Sequence, residues 1–308
     1  MSAERGFPER VDPAREWPDW LVVRIPADGS ADSVDGLLRD LSLHTVCEEA
    51  SCPNIWECYN HRTSTFLIMG DTCTRHCAFC GVRHVAPRTP AAPVDPDEPA
   101  HVAEAARRLG LKHVVITSVT RDDLSDGGAG IFAACVDEIR RVMPGATVEV
   151  LVPDFRGDRA ALDKVLAAAP DVFNHNIETV PRLYSKVRPQ AEYRRSLDAL
   201  AAAAAAGLTV KSGLMLGLGE TTAEVGAVLR DLHQAGCRLV TIGQYLRPSP
   251  HQLPVARFVP PEEFTELEKK ALALGFTGVA SGPLVRSSYR AAEMRRLAAP
   301  ETHGPSAA

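Results

Sequence analysis

Three thiols fall within eight residues, Cys73-Thr-Arg-His-Cys77-Ala-Phe-Cys80, directly after the apolar run Thr65-Phe-Leu-Ile-Met-Gly70. A four-iron cluster normally takes four cysteine ligands, so one C-x3-C-x2-C loop holds three irons of a cubane and leaves the fourth iron without a ligand from that loop. The open iron is a place for chemistry. A structural zinc loop is the plainer alternative. Zinc pairs, however, are usually C-x2-4-C with a second half-site at a distance. The spacing favours iron and sulfur.

Upstream lies a second triplet, Cys47-Glu-Glu-Ala-Ser-Cys52-Pro-Asn-Ile-Trp-Glu-Cys58, which supplies three more soft ligands. A single cubane takes only four thiolates, so two triplets suit two clusters. Six of the eight cysteines lie between positions 47 and 80, a density that otherwise suggests a disulfide framework. Disulfide-dense chains are short, secreted and poor in core. This chain is long and rich in Ala, Val and Leu, its start Met1-Ser-Ala-Glu-Arg-Gly has no apolar h-region, and Glu4, Glu9 and Asp12 do not suit a transit peptide. No window approaches the ~18 apolar residues of a membrane span. The expectation is a soluble cytoplasmic protein kept reduced. Formal charge is -5 and no block of like charges occurs, so nucleic acid and membrane are not expected partners.

The remaining sequence sets the frame for these thiols. At 308 residues the chain is long enough for two average domains, yet α/β barrels commonly run this length as one unit. Short apolar segments near 65–69, 113–118, 147–151, 172–177, 209–215 and 239–244 alternate with helical patterns near 98–109, 128–142, 158–168, 191–206, 221–235 and 261–273. Such alternation marks βαβ units and a parallel sheet. Six repeats fall short of the eight that close a barrel, which predicts an open, partial (β/α)6 barrel. Residues 1–62 are expected to form an arm and cluster-binding extension, 63–280 the barrel, and 281–308 a C-terminal extension. In the arm, Trp17, Trp20 and Ile25 are expected to dock, and 34–41 reads as a short helix with Leu37, Leu38 and Leu41 on one face. Gly110, Gly207, Gly236 and Gly275 fall where helices should stop. The Ala-rich run 199–206 reads as a good helix former packed on the sheet.

In α/β barrels, functional residues sit at the C-terminal ends of strands. Those ends carry the Cys73 loop, Thr117-Ser118 with Arg121-Asp122-Asp123, Asp154, Asn174-His-Asn176-Ile-Glu178, Gly217-Leu-Gly219-Glu220 and Gln244-Tyr245-Leu246-Arg247. Polar groups therefore gather on one rim above apolar strands.

The C-x3-C-x2-C loop, with aromatic Phe79 before its third cysteine, resembles the signature of radical S-adenosylmethionine enzymes. Val46-Cys-Glu-Glu-Ala50, Cys52-Pro-Asn, Met69-Gly-Asp-Thr-Cys-Thr-Arg75, Ile116-Thr-Ser-Val-Thr-Arg-Asp-Asp-Leu124, Asp126-Gly-Gly-Ala129, Asn174-His-Asn-Ile-Glu-Thr179, Gly243-Gln-Tyr-Leu-Arg-Pro248 and Ala280-Ser-Gly-Pro-Leu-Val-Arg-Ser-Ser-Tyr289 together resemble the lipoyl synthase family. The likeness runs from about residue 40 to 290. It implies insertion of two sulfur atoms, at C6 and C8 of an octanoyl chain amide-linked to a lysine of a carrier domain. It implies two 4Fe-4S clusters and one S-adenosylmethionine cleaved per sulfur, with the upstream cluster consumed as sulfur source.

By match to the family motif, Cys73, Cys77 and Cys80 hold the catalytic cluster, and Cys47, Cys52, Cys58 and Ser288 the auxiliary one, with Ser287 the neighbouring alternative. Phe79, Thr117, Ser118, Asn176, Glu178, Gln244, Tyr245 and Leu246 are candidates to contact S-adenosylmethionine. Arg286, Asp122 and Asp123 are candidates to steer the carrier lysine or brace the site. The resemblance implies octanoylated carrier domains as partners, such as 2-oxoacid dehydrogenase E2 subunits and the glycine cleavage H protein. It also implies a reductant of the flavodoxin or ferredoxin kind and an iron-sulfur carrier that rebuilds the auxiliary cluster.

Trp56 and Tyr59-Asn60 around Cys58, and Arg290 after the tyrosine, depart from the common family pattern without touching a proposed ligand. Alkyl C–H bonds offer no acidic proton, so acid/base residues are not expected to activate them, whereas a radical cofactor can. Cys135 and Cys237 read as small buried hydrophobes. His44, His76 and His84 read as ordinary loop histidines, and Lys211 and Arg121 as structural or rim charges. Gly127-Gly128 and Gly217-Leu-Gly219 lack a complete phosphate-binding pattern. A two-cluster electron carrier is the competing class, although a carrier needs no six-repeat barrel with a polar rim. Another sulfur-inserting or methylthio-transferring radical enzyme is the competitor within the enzyme class.

Overall fold

The computed structural model describes residues 17–22, 30–61, 64–86 and 89–298. From residue 65 onward each apolar segment is a strand lying parallel to its neighbours, and a helix carries the chain back between them. The strands of this series are β2 (Thr65–Ile68), β5 (His113–Ser118), β6 (Thr147–Leu151), β7 (Val172–Asn174), β8 (Thr209–Leu216), β9 (Leu239–Gln244) and β10 (Gly278–Gly282). The returning helices are α4 (Glu98–Leu109), α5 (Ala129–Val142), α6 (Arg159–Ala167), α8 (Tyr193–Ala205), α9 (Thr222–Gln234) and α10 (Pro261–Leu274), with the single turn α7 (Tyr184–Val187) before α8. A two-residue strand β1 (His44–Thr45) pairs antiparallel with β2 and closes the other edge. The sheet order is β1-β2-β5-β6-β7-β8-β9-β10, and β1 and β10 are its edges, so the barrel stays open.

Two strands exceed the six expected. β10 reads Gly-Val-Ala-Ser-Gly, too small and too poor in branched residues to signal a strand, and β1 is too short to carry a period. β7 ends at Asn174 rather than residue 177, because Glu178 turns left-handed at φ 65°. Helix ends follow the expected signals. Thr221 and Glu224 form a capping box, and Gly110 and Gly275 end α4 and α10 in the left-handed conformation.

Beyond the strand series, α1 (Ser30–Asp40) precedes β1, α2 (Val46–Glu49) and α3 (Ile55–Asn60) carry the upstream cysteines, and the short ribbon β3 (Thr72–Cys73) with β4 (Arg83–His84) frames the downstream loop. Trp17 packs on Phe258 with ring centroids 5.5 Å apart, docking the arm as expected. Trp20 is 41% exposed and does not dock, and Ile25 lies outside the described residues.

The C-terminal helix α11 (Ala291–Ala298) packs against β10, β9 and β5. Its Met294 joins Val172 and Leu239, the first residues of their strands, so the helix fills the floor of the open barrel. A Cβ at Gly278 would overlap the end of the Leu239 side chain, so any larger residue there makes Leu239 shift where this helix lies on the sheet. The floor also holds charge. Lys211 Nζ lies 2.8 Å from Glu149 Oε1, both side chains are fully buried, and Asn174 Nδ2 donates to the same carboxylate at 2.9 Å. Burial alone would raise the Glu149 carboxyl, but Lys211 and His113 hold it down at about 2. Lys211 is therefore structural, and Cys135 and Cys237 are buried small hydrophobes, as expected.

Candidate active site

The downstream thiols lie on the loop that leaves β2, at the C-terminal end of the sheet. Main chain holds this loop on several sides: Thr74 N donates to Thr120 O, Ala78 N to Val187 O and Leu253 N to Ala78 O, each at 2.9 Å. Arg75, 4% exposed, is clamped between two carboxylates, with Nε 2.7 Å from Asp122 Oδ2 and Nη2 2.7 Å from Asp154 Oδ1. The other Asp154 oxygen takes Arg195 Nε at 2.7 Å, which ties the loop to α8. Asp154 is fully buried; burial opposes its charge, yet the two guanidiniums hold its carboxyl well below the usual carboxylate range. The expectation that Asp122 braces the site fits this pairing, while Asp123 instead pairs with Arg121 at 2.8 Å.

Cys73 Sγ accepts from Arg75 N at 3.4 Å and Thr120 N at 3.3 Å, the kind of donation that tunes a cluster sulfur. Burial pushes Cys77 up to about 11 and Cys80 to about 12, and each feels the charge of another thiol of the loop. The protein alone does not favour these thiolates; a bound cation would have to supply that stabilisation.

The upstream thiols come together from two short helices and the turn between them. Thr45 caps α2, accepting from Glu48 N, and its hydroxyl meets Tyr59 Oη at 3.0 Å, which holds α2 against α3. Cys52 N donates to Cys47 O at 2.9 Å, and Thr65 donates a backbone hydrogen bond to the Cys47 thiol. Burial raises all three thiols, Cys58 to about 12, and Cys47 and Cys58 also feel the charge of Cys52.

All six thiols are free. Among the described residues no three His, Cys, Asp or Glu side chains are grouped as ligands of one metal ion. A cubane asks for looser spacing, one thiolate per iron, and two separate triplets of uncrosslinked thiols fit that demand.

The segment after β10 bonds both to the stretch that carries the upstream thiols and to the barrel. Ser287 Oγ donates to Asn176 Oδ1 at 2.7 Å, while the Ser288 hydroxyl accepts from Thr65 Oγ1 at 2.8 Å. Adjacent serines thus take different partners, Ser287 on the rim residue Asn176 and Ser288 on Thr65, whose main chain bonds the Cys47 thiol. Gly243 makes room, since a Cβ there would overlap the Val285 carbonyl oxygen. Arg286, whose Nη1 donates to Val285 O at 2.7 Å, lies close enough to Cys52 to lower that thiol's raised pKa somewhat.

Of the expected rim contacts, Asn176 and Glu178 are half-buried and joined at 3.1 Å, and Phe79, Ser118 and Leu246 are also half-buried. Burial raises the Glu178 carboxyl, against the pull of Arg188. Ser118 Oγ and Arg188 Nε are buried without a protein partner, while Arg188 Nη1 donates to Asn176 O at 2.7 Å. Thr117 Oγ1 is spent on Leu151 O at 3.0 Å. Gln244 is spent as well: its amide donates to Leu216 O, Tyr245 O and Arg257 O and accepts from Val259 N at 2.8 Å. Tyr245 Oη donates to Leu253 O at 2.7 Å. The Thr117 and Tyr245 hydroxyls thus spend their protons on main chain and keep only acceptor lone pairs, and the Gln244 amide is fully engaged. Arg188, by contrast, escaped notice in the sequence because it lies in a loop beyond the strand end. His44 pairs with Glu49 at 3.2 Å, and the rings of His76 and His84 stack at 5.0 Å. A cleft of about 340 Å³ between α8 and α9, lined by Tyr193, Asp231 and Gln234, contains none of these residues.

The chain matches the Radical SAM superfamily model over residues 67–232. It is 57% identical over 277 residues to the lipoyl synthase of Acidithiobacillus ferrooxidans, covering 89% of this chain and 86% of that one. It is 54% identical over 278 residues to the lipoyl synthase of Rubrobacter xylanophilus, with 90% and 85% covered. The lipoyl synthase of Nitratidesulfovibrio vulgaris is 52% identical over 286 residues, with 92% and 94% covered. Among solved structures, the FeFe-hydrogenase maturase HydG superposes with a TM-score of 0.56 at 16% identity, covering 84% of this chain and 57% of that one. Methylornithine synthase PylB gives 0.52 at 18% identity, with 81% and 76% covered. At these identities the likeness concerns the fold.

Proposed function

The chain belongs to the lipoyl synthase family within the radical S-adenosylmethionine superfamily, and on that premise we propose how its residues divide the work. The enzyme is a sulfurtransferase that inserts two sulfur atoms at C6 and C8 of a protein-bound N6-octanoyl-lysine, using two S-adenosylmethionine and 4Fe-4S clusters. When bound, these groups supply a 5′-deoxyadenosyl radical able to take hydrogen from an unactivated carbon, and a sulfur atom to replace it.

The chain's own part is to hold, orient and shield. Cys73, Cys77 and Cys80 hold the catalytic cluster, and the Arg75 clamp keeps their loop from shifting. Cys47, Cys52, Cys58 and Ser288 hold the auxiliary cluster. The serine is a hard oxygen in a set of soft thiolates, hence the weakest point of that set. Asn176, Glu178, Ser118 and Arg188 hold S-adenosylmethionine by hydrogen bonds and charge, with Phe79 and Leu246 beside them. Arg286 orients the acyl-lysine arm between the two sides. Packing of the strap after β10 over the mouth excludes water, which would otherwise quench a carbon radical.

Residues 1–62 and 281–308 then act together as the auxiliary-cluster unit, and 63–280 as the radical-generating barrel. The partners are octanoylated carrier domains of 2-oxoacid dehydrogenase E2 subunits or glycine cleavage H protein, a flavodoxin-like or ferredoxin-like reductant, and an iron-sulfur carrier. The work is assigned to the cytoplasm; no described helix is long and apolar enough to cross a membrane.

The single observation carrying this division is the pair of serines, Ser287 on Asn176 and Ser288 on Thr65 beside Cys47. Its test is anaerobic incubation of reconstituted protein with reductant, S-adenosylmethionine and an octanoyl-lysine peptide. The expected products are 5′-deoxyadenosine, a monothiolated peptide and then the dithiolane by mass. Replacing Ser288 by Ala is expected to stop sulfur transfer while 5′-deoxyadenosine still forms. Unchanged sulfur transfer in that variant would overturn the assignment.

A further inference from the structure

The strap after β10 is tied at both ends to one short stretch of chain. Asn54 Nδ2 donates to Leu284 O at 2.7 Å. Tyr289 Oη donates to Glu57 Oε1 and Oε2 at 3.0 and 3.2 Å. Both Asn54 and Glu57 lie between Cys52 and Cys58, and the two serines lie between the two ties.

The ties differ in kind. Asn54 reaches a main-chain carbonyl and so fixes only the path of the strap. Tyr289 and Glu57 meet side chain to side chain, one residue after Ser288 and one residue before Cys58. A phenol donating to a carboxylate is a charge-assisted bond, stronger than a neutral one. Arg290 completes the corner: its guanidinium lies 5.3 Å from the Tyr289 ring centre and 3.6 Å from Glu57 Oε1. Its backbone is left-handed at φ 50°, unfavourable for a residue with a side chain, so contacts rather than local preference hold this turn.

We propose that Tyr289 and Glu57 form a latch that positions Ser288 as the oxygen ligand of the auxiliary cluster, so that opening the latch frees one iron. The latch rests on the assignment of Cys47, Cys52, Cys58 and Ser288 made above. Tyr289 and Glu57 are positioning residues; neither touches the reacting atoms. The neighbouring Thr65 hydroxyl acts differently from the latch: it donates to the serine oxygen itself, which keeps a further lone pair for iron, whereas the latch fixes the main chain that carries the serine.

The test uses full-length chain with Cys73, Cys77 and Cys80 replaced by Ala, reconstituted with 57Fe, so that Mössbauer spectra report the auxiliary cluster alone. Ser288→Ala defines the spectrum without the oxygen ligand. Tyr289→Phe is expected to keep the iron content of the parent but to shift the ratio of oxygen-bound to oxygen-free cluster roughly ten-fold toward the Ser288→Ala spectrum, about the effect of one lost charge-assisted hydrogen bond. Glu57→Ala should match it, the double variant should add nothing further, and Glu57→Gln, which keeps an acceptor, should recover most of the parent spectrum. Parent-like spectra for Tyr289→Phe and Glu57→Ala, or additive effects, overturn the latch. Loss of the whole cluster in Tyr289→Phe overturns it too, because it would mark general support of the fold rather than a hold on one oxygen. If Ser288→Ala itself matches the parent, the ligand assignment falls and takes the latch with it.

Discussion

The two cysteine triplets are held in contrasting ways. Cys73, Cys77 and Cys80 sit on one loop at the end of β2, and the barrel grips it through a fully buried carboxylate, Asp154, shared by Arg75 and Arg195. Cys47, Cys52 and Cys58 sit outside the strand series on α2, α3 and their linking turn, and a strap some 230 positions away in sequence closes over them. One site is a rigid fixture of the fold and the other is an assembly of separate pieces. A site used repeatedly benefits from the first arrangement. A site whose contents are spent and replaced needs pieces that part.

The sharpest way to break this contrast is to remove each triplet in turn. Replacing Cys73, Cys77 and Cys80 by Ala should remove about half of the iron and all 5′-deoxyadenosine. Replacing Cys47, Cys52 and Cys58 should remove the other half and all sulfur product, with 5′-deoxyadenosine persisting. Equal loss of 5′-deoxyadenosine in both would merge the two sites into one.

The next largest effect concerns the grip itself. Arg75→Ala strips a fully buried carboxylate of one partner, which should cost about 3–5 kcal/mol in denaturant unfolding. Asn54→Ala removes one hydrogen bond from the strap and should cost only about 1 kcal/mol. Comparable costs would mean the upstream side is gripped as tightly as the downstream one.

The two sides should also respond oppositely to pH. His175, behind the rim, is buried with Nδ1 on Val152 O and Nε2 on Ser196 Oγ, and burial pushes it down to about 4. Its folded form prefers the neutral ring, so its contribution is present above about 6.5 and is lost as pH falls from there toward 4. His44, beside the upstream triplet, is raised above 6.5 by its bond to Glu49. Its contribution is complete below 6.5 and is lost as pH rises through the raised value. Amide exchange should therefore quicken around 172–180 in acid and around 44–50 in mild base; the same direction in both would remove the distinction. An effect as small as that of Asn54→Ala belongs to the arm: Trp17→Ala gives up an aromatic contact that contributes about 0.5–1.5 kcal/mol and should change neither cluster's iron content.

Much of the barrel was legible because apolar strands and capped helices announce themselves locally; Thr221 with Glu224 and the glycines after α4 and α10 lie where the chain signalled them. The two cysteine triplets were legible through spacing. What escaped depends on distance. β10, Gly-Val-Ala-Ser-Gly, has α11 lying against it, and nothing in a five-residue segment with one branched side chain reveals that partner. Gln244 and Tyr245 have the chemistry of ligand contacts, yet their side chains are spent on the loop 253–259, which no local pattern foretells. Arg188, Asn54 and Glu57 carry weight only through partners remote in sequence or in a folded loop.

A ribosome delivers the barrel's thiols and their supporting carboxylates early, but Ser288 emerges long after Cys58. The downstream loop waits for Arg195 and Leu253 to be tied down, and the upstream triplet waits longer still, for Leu284 and Tyr289. A chain arrested before residue 288 would carry Cys47, Cys52 and Cys58 without the serine that the proposal sets beside them.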